Sequence, residues 1–97
     1  MPKGYVIARV TVTDTDAYAA YAQAAALAQE RYGAKRLVRG GQYTVLEGEA
    51  KARNVVLEFD SYDQALAYYR SVEYQAAKLK REGAAQADII AVEGAPD

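Results

Sequence analysis

Two isolated charges and a set of tyrosines are the parts of this chain that could do chemistry. Arg9 interrupts the run Val6-Ile7-Ala8-Arg9-Val10-Thr11-Val12, and Glu58 interrupts Val55-Val56-Leu57-Glu58-Phe59. A buried guanidinium or carboxylate is costly unless it is paired. If the two runs are neighbouring strands, each charge is therefore the natural partner of the other. Two roles fit such a pair. One is a polar spot that holds an anionic or hydroxylated ligand, with Glu58 as base. The other is a structural ion pair under a subunit contact, whose rupture costs about 3–5 kcal/mol.

The chain has nine tyrosines and one phenylalanine. Tyr18, Tyr21 and Tyr32 share one stripe of the first helical stretch, and Tyr68, Tyr69 and Tyr74 belong to the second. A tyrosine buries a large ring but needs a partner for its hydroxyl. Hydroxyls converging between helices and sheet suit an oxygenated aromatic ligand; hydroxyls reaching the rim of a core need no ligand at all. If a pocket exists, its expected polar components are Arg9, Tyr18, Tyr21, Glu58 and Tyr69. A cavity of several hundred Å³ would mark a ligand site, since such pockets span roughly 300–1,000 Å³. A dry, closed core would mark a structural role.

Two further groups carry weaker signals. Arg39-Gly40-Gly41 sets a basic residue beside open backbone amides, a modest anion site, but a bulge that bends an edge strand for dimer pairing fits it better. Glu47-Gly48-Glu49 places two carboxylates in a turn without histidine, which reads as solvated surface and not as a metal site.

The elements that would position these residues follow from periodicity. Gly4–Val12 alternates as a strand, with Val6, Ala8, Val10 and Val12 on one face and Tyr5, Ile7, Arg9 and Thr11 on the other. Thr13 or Asp14 caps a helix that runs to about Tyr32 and stops at Gly33. Lys35–Val38 and Gln42–Glu47 read as one strand interrupted by the glycine pair, followed by a strand over Asn54–Asp60. Ser61-Tyr62-Asp63-Gln64 reads as a capping box that opens a helix over Tyr62–Ser71. A second helical stretch, Glu73–Arg81, follows a kink near Ser71-Val72, and Ala87–Glu93 is the last strand. The order β-α-β-β-α-β is the ferredoxin-like pattern, a four-stranded antiparallel sheet with helices on one face. Its bare face then needs a second copy to cover it. We expect Val6, Ala8, Val10 and Val12 under the helices, and Tyr5, Ile7 and Arg9 toward the partner. That assignment separates Arg9 from the helix-side tyrosines. Either the faces are reversed and all five candidates converge, or there are two polar clusters.

The 97 residues fit a single domain over 1–97 with a thin core. Twelve basic residues balance 13 acidic ones for a net charge of −1, and no broad basic face emerges, which argues against nucleic-acid binding. The absence of histidine, cysteine and tryptophan removes disulfides, thiolate nucleophiles and thiolate metal sites. No segment has the roughly 20 apolar residues that span a bilayer. The expectation is a cytoplasmic homodimer with a possible small-molecule ligand, no cofactor, and no nucleic-acid or membrane partner. No catalytic motif is present, so whether it is an enzyme stays open.

Tyr18-x-x-Tyr21, Arg39-Gly40-Gly41, Glu47-Gly48, Glu58-Phe59-x-Ser61 and Tyr69-x-Ser71-x-Glu73-Tyr74 together resemble a bacterial family known as domain of unknown function 1330. Lys3-Gly4-Tyr5 and Val92-Glu93-Gly94 match its ends, so the resemblance covers nearly the whole chain. It departs at Val6, where the family often has tryptophan, and at Asp60, where it tends to have proline. The resemblance implies a dimeric α+β barrel, in which two ferredoxin-like sheets pack face to face. Architectural relatives include cofactor-free quinone-forming monooxygenases, lactone isomerases and haem enzymes. Without histidine the usual haem ligand is missing. By that analogy the protein is a cofactor-free enzyme or binder of a small oxygenated hydrophobic compound; the alternative is a non-catalytic dimeric module.

Overall fold

The computed structural model describes residues 2–96; Met1 and Asp97 lie outside them. The elements are β1 (Gly4–Val12), α1 (Thr15–Arg31), β2 (Lys35–Arg39), β3 (Arg53–Phe59), α2 (Tyr62–Arg70), α3 (Val72–Leu79) and β4 (Ala85–Glu93). The strands form one antiparallel sheet in the order β2-β3-β1-β4. This is the ferredoxin-like α+β arrangement, with its helices on one face. Among the described residues no helix is long and apolar enough to cross a membrane.

Alternation decides which face the helices cover. Val6 and Val10 of β1 are buried with Leu57 and Phe59 of β3 against Ala25 and Ala28 of α1, Ala65 and Tyr68 of α2, and Tyr74 and Ala77 of α3. Alanines on the helices let the backbones approach the sheet, and the aromatic rings fill the remaining depth. The opposite parity leaves Tyr5, Ile7, Val56 and Ile90 on the uncovered face, with Ile90 57% exposed.

Helix ends follow the local chemistry. The Asp14 carboxylate accepts from the Ala17 amide at 3.1 Å and starts α1. Ser61 Oγ accepts from the Gln64 amide at 3.0 Å and starts α2. The reciprocal half of a capping box is replaced, because the Gln64 side chain donates to the Tyr32 carbonyl at the end of α1. Ser71 both ends α2 and begins α3. Its hydroxyl donates to the Tyr68 carbonyl at 2.7 Å and accepts from the Tyr74 amide at 3.0 Å. Gln75 Nε2 donates to the Tyr69 carbonyl at 2.7 Å, so two carbonyls orphaned by the break find partners.

Two expectations fail. The ladder irregularity lies between Arg36 and Val38, not at the glycine pair. Gln42–Glu47 forms no strand and is exposed throughout. Its composition favours extended backbone, but strand structure needs a neighbour, and the ladder closes where the Gly40 amide bonds the Asn54 carbonyl. Beyond that rung Tyr43, Val45 and Leu46 face solvent.

Ser71→Ala removes a buried hydroxyl that serves both helices. We expect it to lower stability by about 1–2 kcal/mol, read as a lower urea midpoint with an unchanged slope. An unchanged midpoint would mean that the break is held by packing alone.

Candidate functional site

The helix stripe that carries Tyr18 and Tyr21 faces the rings of α2 and α3, and a cavity of about 50 Å³ lies between them and the sheet. Its wall includes Tyr18, Tyr21, Tyr68, Tyr69 and Tyr74 together with Arg36, Arg39, Arg53 and Arg81. The rings form a continuous cluster. Tyr18 and Tyr21 lie 5.2 Å apart between centroids, Tyr21 meets Tyr74 edge-on at 6.1 Å, and Tyr68 and Tyr69 each lie 5.0 Å from Tyr74. The Tyr21 and Tyr74 hydroxyls share a hydrogen bond of 2.8 Å. Arg36 Nε donates to Gln29 Oε1 at 2.7 Å, and Gln29 Nε2 reaches the Tyr68 hydroxyl at 3.4 Å.

Cations lie over these rings. The Arg53 guanidinium sits 5.3 Å from the centre of Tyr18 and that of Arg81 sits 5.2 Å from Tyr21, within cation–π range. Burial raises the Tyr21 phenol far above its ordinary pKa, and the neighbouring Tyr74 phenol adds to this. Burial also raises Tyr68, although the Gln29 hydrogen bond opposes it. Burial works against the charge on Arg81, but the adjacent Tyr74 and Tyr21 hydroxyls outweigh it, and its pKa stands above the usual value. At neutral pH the cavity therefore offers hydrogen-bond donors and positive charge. No described carboxylate lines it.

The five candidates divide between two places. Tyr18, Tyr21 and Tyr69 line the cavity, as does Arg39. Arg9 and Glu58 lie on the opposite face of the sheet and do not pair with each other. Arg9 is opposite Asn54 and Glu58 is opposite Tyr5, which sets them four positions apart, about 13 Å along the strand. Parity put both on one face, but register kept them separate. Glu58 instead accepts from the Tyr5 hydroxyl at 2.9 Å, which raises the Tyr5 phenol, and Arg9 donates to the Glu49 carbonyl at 3.0 Å. Gly40 abuts the Arg53 guanidinium, where a Cβ would lie 2.5 Å from Nη1. Gly41 is exposed and away from the cavity.

Sequence reasoning missed Arg36, Arg53 and Arg81. Arg53 shares the parity of Leu57 and Phe59 on β3, a signal available in the sequence. The inward placement of Arg36 depends on its pairing with Leu57, and that of Arg81 on how the turn before β4 folds back.

A family described as domain of unknown function (DUF1330) matches residues 3–95. The chain belongs to the DUF1330 family. No curated protein matches it. Among solved structures, this DUF1330 protein is similar to a protein of unknown function from Rhodopseudomonas palustris, at 21% identity and a TM-score of 0.75, covering 99% of this chain and 85% of that one. It is also similar to a dimeric protein of unknown function with a ferredoxin-like fold from Bacteroides fragilis. There the identity is 14% and the TM-score 0.64, covering 94% and 95% of the two chains. A third is SnoaB, a cofactor-independent oxygenase from Streptomyces nogalater, at 11% identity and a TM-score of 0.59, covering 100% and 97%. At these identities the likeness is one of fold.

The raised phenols make stability depend on alkaline pH. Tyr21 and Tyr68 hold their protons in the folded state well above the value near 10 that applies when unfolded. The folded state thus binds more protons above pH 10, and its stability falls as pH rises beyond that point. We expect the melting temperature to drop between pH 10 and 11.5, with part of the tyrosinate absorbance at 295 nm appearing only on unfolding. Complete titration of all nine tyrosines in the folded state would contradict it.

Proposed function

We propose that this protein is a homodimer that binds a small oxygenated aromatic or hydrophobic compound in the tyrosine-lined cavity. The observation that carries this reading is the joining of the Tyr21 and Tyr74 hydroxyls inside an otherwise aromatic wall. Rings offer stacking surface, and hydroxyls offer fixed hydrogen bonds to a ligand oxygen. At about 50 Å³ the cavity falls well short of the several hundred expected of a ligand site and admits only a few waters, so a ligand enters by displacing arginine side chains that lie over the rings. With guanidinium groups, phenol hydroxyls and Gln29 as the polar parts of its described wall, the site could stabilise negative charge developing on a ligand oxygen.

A second copy is the partner proposed for the bare sheet face. Tyr5, Ile7, Val38, Val56, Ile90 and Val92 form its apolar centre, and Val38, Ile90 and Val92 are exposed in the single chain. The dimeric description of the Bacteroides fragilis neighbour supports the assignment. Lys35 and Glu58 flank the patch on one side, with Arg9 and Asp88 on the other. Glu58 and Arg9 are then interface residues. The modest cavity favours a second reading, a non-catalytic dimeric module whose tyrosines are core.

Two measurements test these readings. Light scattering at micromolar concentration should return twice the 10.6 kDa chain mass, and Ile90→Lys should halve it without altering the circular dichroism spectrum. A wild-type monomer would end the dimer proposal. A thermal-shift screen of phenols, quinols and lactones should find a ligand that Tyr21→Phe weakens about two- to tenfold, as expected for one neutral hydrogen bond. If no compound raises the melting temperature, the module reading stands.

A further inference from the structure

The arginines around the cavity have no acidic counterpart. No described aspartate or glutamate lines the cavity, although the chain carries 13 acidic residues. The ion pairs among the described residues involve Lys3, Arg31 and Lys51, all elsewhere. Arg36 is satisfied by neutral acceptors, the Gln29 side chain and the Ala26 carbonyl. For Arg53 and Arg81 the shortage is sharper: the Nε of each is buried with no hydrogen-bond partner among the described residues. A buried donor on a charged group that lacks an acceptor is destabilising.

Both unsatisfied groups lie at the same end of the sheet. Arg53 begins β3 opposite Val10, and Arg81 precedes Ala84, whose carbonyl accepts from the Thr13 and Asp14 amides just beyond β1. Each guanidinium stacks on one of two adjacent rings, Tyr18 and Tyr21. Gly40, with φ +70°, brings its backbone against Arg53, so the space beside that guanidinium is closed from the β2 side. The two guanidinium groups rest on rings and, for Arg53, beside the Gly40 backbone, while their Nε groups go unpaired.

We propose that the ligand of this cavity is an organic anion: a small aromatic carboxylate or phosphate monoester, its acid group held by Arg53 and Arg81. Arg36 and Arg39 extend the positive field on the β2 side. A carboxylate or phosphate supplies an acceptor for the two unpaired Nε groups and matches the planar guanidinium fork. On binding, the guanidinium groups leave the Tyr18 and Tyr21 rings for the acid group, and the aromatic body stacks in their place. This inference rests on the cavity being a ligand site and adds the charge of what it takes.

The test uses matched probes on the full chain. Benzoate, phenylacetate and phenyl phosphate are compared with methyl benzoate and benzyl alcohol by calorimetric titration and thermal shift, in wild type, Arg53→Met, Arg81→Met and an exposed control, Lys80→Gln. The expected result is that acids bind and their neutral counterparts do not. Affinity should fall about tenfold or more in each arginine variant, as for loss of one charge-assisted hydrogen bond, and stay unchanged in the control. Stability gives an independent readout. Replacing a half-buried arginine whose Nε is buried and unpaired by methionine should hold or raise the melting temperature of the unliganded protein, the trade-off of a site residue. A structural arginine would lower it. Equal or tighter binding of the neutral probes would overturn the anion proposal while leaving the cavity as a ligand site. Failure of every probe to bind would remove both.

Discussion

The arrangement of this molecule on its helix side depends on one buried serine. A continuous helix from Tyr62 to Leu79 would carry its aromatic residues around a single straight axis. Ser71 adopts an extended conformation, φ −65° and ψ 152°, and turns the chain between α2 and α3. Its hydroxyl answers a carbonyl on one side and an amide on the other, so one backbone group on each side of the break is paired by the same side chain. With the break in place, Tyr68, Tyr69 and Tyr74 converge instead of dispersing. α1 completes the cluster from across the sheet face through Tyr18 and Tyr21.

The two faces of the sheet solve the problem of polar groups in different ways. On the uncovered face charges meet charges or backbone: Lys51 bonds Asp88 at 2.6 Å and lowers the pKa of that carboxyl, and Arg9 takes the Glu49 carbonyl. Asn54 Nδ2 holds the Lys51 carbonyl at 3.2 Å within the same segment, and the Lys51 side chain ties the base of the exposed loop to Asp88 of β4. On the helix side cations meet rings. A guanidinium over a tyrosine gains cation–π attraction but leaves its in-plane N–H groups to find acceptors elsewhere. The imbalance on that side follows from using aromatic faces where carboxylates would otherwise stand.

Much of this was legible in the residues themselves. The alternation of Val6, Ala8 and Val10, the Asp14 and Ser61 caps, and the break at Ser71 each state a local preference that the fold keeps. Tyr18 and Tyr21 were recognisable because they share a stripe with Ala25 and Ala28. Register was not legible: nothing local to Arg9 or Glu58 says which residue will stand opposite, since β1 and β3 are not consecutive in the chain and no tight turn joins them. Gln42–Glu47 shows the converse. Its β-rich composition is sound, but a strand is a property of a pair, and no neighbour is present to complete it. Arg53 and Arg81 escaped notice because arginine among mixed charges reads as surface. Only the parity of Arg53 hinted otherwise.

The position of β4 bears on how the chain comes off the ribosome. β1 is a central strand, paired with β3 on one side and with β4 on the other, so that Gly4 stands opposite Glu93. The first strand of this fold is therefore completed by its fourth. Until Ala85–Glu93 has emerged, β1 presents an open edge of valine, isoleucine and alanine, and α1 has only part of the sheet to lie on. Contacts this distant in sequence close late. During synthesis the growing chain carries an unfinished sheet, and loss of the final strand would leave a template for pairing with other molecules.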